Sequence, residues 1–419
     1  MGNLGVDRMA EKGWIQPALD FGEGDRAFLE RFGAEGEWGE ADAGTGKVPT
    51  LTREFWTSRQ RQAHPIHEIS YRACYKPQLP RLFIEELTGP GDLVYDPFSG
   101  RGTTALEAAL LGRRCAANDV NPLSRILLEP RLDPPELPEV EARLGEIPLD
   151  SAEAPDLGMF YHPDTEREIR ALRAWFLNRQ ASGAFDRVDG WIRMVATNRL
   201  TGHSPGFFSV YTLPPNQAVG RAQQEEINRR RAQEPPYRDT RALILRKTRQ
   251  LLAGLTEEER GRLRASLPIL LTGPARETPD LARGSVALSV TSPPFLDVVQ
   301  YRNDNWLRCW FCGVDADAVG RALTMARTVE AWAGAMAEVF LELGRVTAPG
   351  GHLAFEVGEV RKGTVRLEEV VLPLGEAAGL RPVGVLVNRQ AFTKTSNIWG
   401  VSNNTSGTNS NRIALFRRA

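Results

Sequence analysis

Long apolar runs, cysteines and an excess of charge of either sign are all scarce in this 419-residue chain. No stretch approaches the roughly 20 consecutive apolar residues that a membrane-spanning helix needs, so we predict no membrane contact. The N-terminus lacks the basic segment followed by an apolar one that marks a secretory signal peptide. The predicted compartment is therefore the cytoplasm, and a composition of 42% apolar and 25% charged residues is typical of a globular protein.

The four cysteines are too few and too scattered to form a disulfide framework. Cys309 and Cys312 form a C-x-x-C pair inside a helix-like run, but a second pair is missing. His203 also has no Cys, Asp or Glu beside it at the spacing of metal ligands. We interpret the two cysteines as packing residues and predict no metal site.

The formal net charge is only −1, but acidic and basic residues are concentrated in different segments of the chain. Residues 1–45 hold ten acids and four bases, and we predict an acidic, glycine-rich arm over residues 1–50. Residues 221–249 hold nine bases and four acids. Such a run is either a solvated helix face or a surface for nucleic acid.

The glycine-rich segment at residues 96–104, D-P-F-S-G-R-G-T-T, follows a predicted strand at 93–95 and precedes a helix-like run at 105–111. A strand, a glycine turn and a helix form a nucleotide-binding opening, because glycines admit close backbone approach and the helix offers free N–H groups. Asp119 ends the next predicted strand, where an acid commonly holds a ribose.

Two classes of enzyme fit this turn, because the pattern from Gly100 to Ala105 also matches the fingerprint of dinucleotide-binding oxidoreductases. A dinucleotide site directs the turn at a pyrophosphate, for which Asp96 and Phe98 are poorly suited. An acid beside glycines suits a cationic ligand such as S-adenosylmethionine, which carries an amino group and a sulfonium.

A second motif, T-S-P-P-F at residues 291–295, follows the apolar run 285–290, which has the composition of a buried parallel strand. Two prolines end the strand and stiffen the turn. Open α/β sheets place ligands at such strand ends. The hydroxyl, carbonyl and aromatic face together suit a planar base that bears an amino group, although a simple strand-ending turn also explains this motif alone.

The two motifs together resemble the S-adenosylmethionine-dependent DNA amino-methyltransferases of the N4-cytosine type, which carry S-P-P-Y or S-P-P-F. The resemblance covers residues 64–128 and 269–418. It implies a Rossmann-like class I methyltransferase, an α/β fold with a mostly parallel seven-stranded sheet and a terminal antiparallel strand pair. S-adenosylmethionine is the implied cofactor and double-stranded DNA the implied partner; the resemblance leaves a cognate restriction endonuclease open as a further partner.

The catalytic domain is predicted to comprise residues 51–130 and 269–419. Residues 131–268 are left as an inserted, mainly helical subdomain to which we assign target recognition by elimination. Bases, amides and aromatics interleave within it, as duplex contact requires. A helical subdomain with a charged, solvated face is the alternative.

The resemblance implies site residues of two kinds, and the insertion and a polar loop supply a third. The predicted catalytic residues are Ser292, Pro293, Pro294 and Phe295. The predicted cofactor-binding residues are Tyr75, Lys76, Pro77, Asp96, Pro97, Phe98, Gly100, Gly102, Thr103, Thr104, Asp119, Ala275 and Arg276. The predicted DNA-binding residues are Arg199, His203, Asn216, Gln217, Arg221, Arg229, Arg230 and Lys394.

The predicted reaction transfers a methyl group to the exocyclic amine of a cytosine flipped out of the duplex. Ser292 Oγ and the Pro293 carbonyl would accept the two amine hydrogens, while Phe295 stacks on the base. Adenine N6 presents the same geometry and is the first alternative. An RNA base methyltransferase, a dinucleotide oxidoreductase and an inactive DNA-binding module stay open beside it.

Overall fold

The computed structural model describes residues 23–56, 63–71, 74–151, 156–212, 219–294, 301–322, 326, 328–357, 365–389 and 410–419. Within these ranges, nine strands form one mixed sheet in the order β1-β2-β8-β9-β7-β6-β3-β4-β5. The strands are β1 Glu37–Asp42, β2 Lys47–Arg53, β3 Leu93–Asp96, β4 Arg114–Asn118, β5 Ile269–Leu271, β6 Val286–Thr291, β7 Thr347–Val357, β8 Leu380–Arg389 and β9 Ser410–Arg418.

The central strands β5, β4, β3, β6 and β7 are parallel neighbours, and β9 lies antiparallel between β7 and β8. The predicted α/β class and the terminal antiparallel pair are thus confirmed. The carboxyl ends of β3 and β6 meet at one edge because these strands are adjacent and parallel, with Tyr95 opposite Ser289. The two sequence motifs, which follow β3 and begin at the end of β6, therefore lie side by side.

The predicted count of seven strands is wrong, because β1 and β2 extend the sheet to nine. Both strands begin within residues 1–50, for which we predicted an arm. β2 pairs in parallel with β8, with Leu51 opposite Leu386, and Leu51 is fully buried. The acids and glycines of the surrounding segment conceal a short strand in which only a few side chains face the core.

Helices cover both faces of the sheet. They are α1 Glu23–Glu30, α2 Gln78–Leu87, α3 Thr103–Leu110, α4 Pro122–Leu132, α5 Leu137–Glu146, α6 Pro163–Ala181, α7 Arg187–Thr197, α8 Arg221–Arg231, α9 Thr240–Leu251, α10 Glu257–Ala265, α11 Tyr301–Cys312, α12 Ala316–Ala322, α13 Val329–Val346 and α14 Leu367–Ala377. One apolar layer includes residues of α2, α3 and α10, and the other includes α13 and α14. None of the described helices is long and apolar enough to cross a membrane.

The chain between β4 and β5 is helical, and α5, α6, α7 and α9 enclose an apolar core centred on residues such as Trp191 and Phe176. Helix α11, which follows the S-P-P turn, contributes Cys309 and Cys312 to the same core. Both cysteines are buried there as packing residues, and Cys312 Sγ lies 3.3 Å from Thr197 Oγ1. The insertion is therefore packed directly against the helix that leaves the candidate active site.

Replacing Leu51 by Ala tests whether β2 belongs to the folded core. We expect Leu51→Ala to lower the free energy of unfolding by about 2–5 kcal/mol, because it empties a buried site. Leu341→Ala, at a leucine that is 61% exposed, serves as the control and should change it by less than about 0.5 kcal/mol. Equal urea unfolding curves for the two variants would contradict the placement of β2.

Candidate active site

The glycine turn between β3 and α3 is shaped by two residues with left-handed backbone. Gly100 has φ of 53° and Gly102 has φ of 79°, a region that side chains disfavour. A Cβ on Gly102 would lie 2.5 Å from Leu128 Cδ1, so this position also needs glycine for space. Gly102 caps α3 and has no side chain to accept the first amides of the helix. The turn therefore leaves backbone N–H groups of α3 available to a ligand.

Asp96 ends β3 as a fully buried carboxylate that accepts hydrogen bonds from hydroxyl and amide groups around it. The hydroxyl of Tyr75 donates at 2.6 Å, the hydroxyl of Thr291 at 2.7 Å, and the amide of Phe98 at 3.1 Å. Burial raises the pKa of Asp96, and the bonds from Tyr75 and Thr291 oppose that rise. A cationic group placed here would further stabilise the ionised carboxylate.

Two hydroxyl contacts complete the connection between the motifs. The Tyr75 hydroxyl oxygen also lies against Thr104 Oγ1, and the Thr104 hydroxyl donates to the Val290 carbonyl at 3.1 Å. Residues from three separate segments of the sequence thus converge on Asp96: Tyr75 before β3, Thr104 in α3 and Thr291 at the end of β6. Thr104 and Tyr75 lie beside the glycine turn, and their cofactor-binding role stays a prediction.

Asp119 follows β4 and holds the glycine turn from the other side. Its carboxylate accepts the amide of Gly100 at 2.8 Å and that of Asn121 at 2.9 Å. Burial raises the pKa of Asp119 to about 6. The neighbouring Asn118 amide donates to the carbonyls of Pro97 and Gly273, which ties the glycine turn to the turn after β5. The predicted ribose-binding role of Asp119 stays a prediction, but its position beside the turn is as expected.

Ser292 donates a hydrogen bond to Glu356, an acid on β7 that the sequence reasoning missed. Glu356 is 6% exposed and also accepts a hydrogen bond from Asn411 Nδ2 of β9. Burial raises its pKa to about 7, and the bonds from Asn411 and Ser292 oppose the rise. The available signal was a single acid inside the apolar run at residues 352–357.

The S-P-P turn is anchored by α13 as well. Trp332 Nε1 donates to the Pro294 carbonyl at 3.0 Å, and the Trp332 side chain is buried. Pro293 is buried, whereas Pro294 is exposed. This bond engages the carbonyl of the second proline, so its neighbour Pro293 is the better candidate to accept from a substrate.

Several predicted site residues lie away from this convergence. Ala275 packs in the apolar layer beneath α13, and Arg276 pairs with Glu338 at 3.1 Å on the surface. Pro77 precedes the first residue of α2. Phe295, Asn216, Gln217 and Lys394 lie outside the described residues. The roles assigned to these residues, and to Lys76, stay predictions.

The predicted DNA contacts in the insertion occupy two different environments. Arg221 pairs with Asp156 at 2.8 Å, and Arg229 and Arg230 both pair with Glu226 on α8. Arg199 lies over the ring of Phe207, 4.2 Å from its centroid, and the exposed His203 is 6.2 Å from the same ring. Within the described part of the chain, no group of three metal-ligating side chains occurs.

Comparison with known proteins relates part of the chain to DNA methylases. Residues 37–123 match a family model of the N6/N4 type described as DNA methylase. The type II methyltransferase M.BsoBI of Geobacillus stearothermophilus is 34% identical over 87 residues, which are 20% of this chain and 17% of that protein. M.MjaII of Methanocaldococcus jannaschii is 31% identical over 74 residues, or 18% and 14% respectively. The chain thus spans less than a fifth of the length of either relative.

Solved structures give weaker likenesses. TrmN from Thermus thermophilus has a TM-score of 0.30 at 14% identity, covering 83% of this chain and 50% of that one. The rRNA methyltransferase AviRa from Streptomyces viridochromogenes has a TM-score of 0.33 at 11% identity, covering 85% and 90%. Likenesses this weak carry no argument about function.

The fit of Gly102 against Leu128 can be tested with a matched pair of glycines. Gly183 has a similar φ of 74° but open space around its Cβ position, so Gly183→Ala should cost about 1–2 kcal/mol of unfolding free energy. Gly102→Ala should cost about 1–3 kcal/mol more, because its methyl group overlaps Leu128. Chemical denaturation measures both, and equal losses would contradict the close contact.

Proposed function

We propose that this protein is an S-adenosylmethionine-dependent DNA methyltransferase that acts on an exocyclic amine, with cytosine N4 as its target. The observation that carries the proposal is the 2.7 Å hydrogen bond between Thr291 and Asp96. It holds the S-P-P turn directly beside the glycine turn, as in-line transfer from a cofactor to an amine requires. The DNA methylase match over residues 37–123 supports the same class.

The residues around the glycine turn fit S-adenosylmethionine, which supplies the methyl group. Asp96 is a buried anion that a sulfonium or an amino group would neutralise. Gly100 and Gly102 allow the backbone to approach the ligand, and Asp119 stands at the end of β4, where it could hold the ribose. The methyltransferase relatives agree with this cofactor.

The target amine is a weak nucleophile, because its lone pair is conjugated with the ring of the base. In our proposal, Ser292 Oγ and the Pro293 carbonyl accept its two hydrogens and direct the lone pair at the methyl group. Glu356 makes Ser292 a better acceptor, because the serine hydroxyl donates to the carboxylate and its lone pairs are therefore turned toward the amine. Serine at this position, rather than an acid or an amide, is the reason for preferring cytosine over adenine.

Access to the amine requires the base to leave the duplex, at a cost of a few kcal/mol. The insertion between β4 and β5 is proposed to hold the DNA while this happens. Its helices pack on α11, the helix that follows the S-P-P turn in the sequence, so bound DNA would lie next to the site. Double-stranded DNA is accordingly the proposed partner.

The function is tested by incubating the protein with S-adenosylmethionine and duplex DNA, then digesting the DNA to nucleosides for mass spectrometry. We expect N4-methylcytosine. Ser292→Ala should abolish the product, because one of the two proposed amine acceptors is lost, while calorimetry shows cofactor binding within about twofold of the wild type. N6-methyladenine as the product would overturn the cytosine assignment, and full activity of Ser292→Ala would overturn the role of the serine.

Glu356 should make the methylation rate depend on pH. With a pKa of about 7, its carboxyl becomes increasingly protonated below neutral pH and is then an uncharged, weaker acceptor for the Ser292 hydroxyl, so the rate should fall as pH drops through about 7. Glu356→Gln should remove the part of this dependence that is centred near pH 7 and lower the rate about 10- to 100-fold, the equivalent of one charge-assisted hydrogen bond. Single-turnover rates between pH 5.5 and 8.5 measure both effects.

Glu258→Gln provides the control for this experiment, since Glu258 is an exposed acid on α10. Its pH profile should match that of the wild type. Tyr75 also interacts electrostatically with Glu356, and burial holds its pKa well above this range, whereas Asp119, with a pKa of about 6, titrates at the acidic end of the range. A pH dependence that persists unchanged in Glu356→Gln would assign the titration to another group.

A further inference from the structure

We infer that Arg199 and Arg246 form a binding site for a backbone phosphate of DNA, at the loop that contains Gly206. The inference rests on the proposed function, because it names the part of the insertion that would hold the nucleic acid. It adds Arg246, together with the buried cations Arg308 and Lys247, to the predicted DNA-binding residues. It also assigns Arg199 to phosphate contact and not to the reading of base edges.

The geometry at Gly206 brings the two guanidinium groups together. A Cβ at this glycine would lie 3.4 Å from a terminal nitrogen of Arg246 and 4.0 Å from one of Arg199, with Ser204 Oγ at 3.5 Å. Both cations thus border the same small space, which the missing side chain leaves open. Two charged donors and one hydroxyl therefore converge beside Gly206, and a phosphate that approaches this glycine from solvent would meet all three.

Both arginines are held in place by the protein. Arg199 lies 4.2 Å from the centroid of Phe207 and donates to the Asn198 carbonyl at 3.0 Å. Arg246 donates to the Pro205 carbonyl at 3.4 Å and is exposed, whereas Arg199 is half-buried. Two oriented cations at the surface lose less side-chain freedom when they bind an anion than two flexible ones would.

The surrounding charge favours an anion. Two further cations, Arg308 and Lys247, are buried and close enough to Arg199 to act on it electrostatically. Burial, together with the charges of Arg308 and Arg246, lowers the pKa of Arg199 to about 10. Burial and the charge of Arg199 likewise lower the pKa of Lys247, whose carboxylate partner Glu68 is 3.6 Å away and largely exposed. Like charges crowded in this way destabilise one another, and a bound phosphate would relieve the repulsion.

The cluster lies next to the candidate active site. Arg308 of α11 donates to the Ser70 carbonyl at 3.1 Å, and the Ser70 amide donates to Asn198 Oδ1 at 2.9 Å. Arg101 of the glycine turn donates to the neighbouring Ile69 carbonyl at 3.1 Å. The segment formed by Ile69 and Ser70 therefore contacts both the glycine turn and the cation cluster, which consists of Arg199, Arg246, Lys247 and Arg308. A phosphate bound at Arg199 and Arg246 would belong to the DNA that flanks the flipped nucleotide.

The other arginines predicted to contact DNA make a useful contrast. Arg221 is paired with Asp156, and Arg229 and Arg230 share Glu226. A phosphate would have to compete with these carboxylates. Arg199 and Arg246 carry no such pairing in their described contacts, so the structure favours them as the phosphate site.

The test uses the full-length protein, duplex DNA and the dependence of affinity on salt concentration. Each lost phosphate contact should make the slope of log affinity against log salt shallower by about 0.9. We expect Arg246→Gln to show this change. Arg246→Lys, which keeps the charge, should retain most of the wild-type slope. The control is Arg249→Gln, an exposed arginine near the end of the same helix, which should leave the slope unchanged.

The outcomes separate the inference from the function on which it rests. If the wild type methylates duplex DNA but Arg246→Gln and Arg249→Gln have equal slopes, the phosphate site is wrong and the methyltransferase stands. If the wild type neither methylates nor binds duplex DNA, the proposed function is wrong, and the phosphate site that rests on it is wrong as well. Tighter binding of single-stranded RNA than of duplex DNA would also overturn the assignment. Thermal unfolding of each variant, expected within about 1–2 °C of the wild type because the side chains are exposed, excludes misfolding as the cause.

Discussion

A buried carboxylate must receive hydrogen bonds or an opposite charge, and the candidate site is arranged around that requirement at Asp96. Two of its donors are hydroxyls from outside the glycine turn, Tyr75 and Thr291. The hydrogen bonds that satisfy the Asp96 carboxylate therefore hold the segment before β3 and the S-P-P turn close together. The chemistry depends on this arrangement, because a cofactor turn and a substrate turn are useful only at a fixed separation.

A second buried acid, Glu356, also receives hydrogen bonds, and it lies beside the S-P-P turn. It accepts from Ser292 and Asn411, so the S-P-P turn is tied to β7 and β9 as well as to Asp96. The two acids differ in what could satisfy them. Asp96 would gain from a cation, whereas Glu356 accepts from an uncharged hydroxyl and an amide.

The central part of the fold and the glycine turn could be predicted, because both leave strong local signals. Apolar runs preceded the two motifs, and Gly100 and Gly102 occupy backbone conformations that favour glycine. Strands β1 and β2 and the contact of Glu356 with Ser292 could not be predicted in this way. β2 is identified by its pairing with β8, and Glu356 by its hydrogen bond with Ser292. Both contacts join residues that are far apart in the sequence. The cation cluster was partly visible as a run of bases, but the pairing of Arg221, Arg229 and Arg230 was not.

The hairpin of β1 and β2 determines which strand forms this edge of the sheet. It covers the edge of β8, which would otherwise present unpaired backbone groups, and transfers the exposed edge to β1. β1 carries Glu37, Glu40 and Asp42, and charges along an edge discourage it from pairing with strands of other molecules. At the opposite end, β5 has only three residues to offer. Both edges of the sheet thus disfavour pairing with strands of other molecules, β1 through its charged side chains and β5 through its short length.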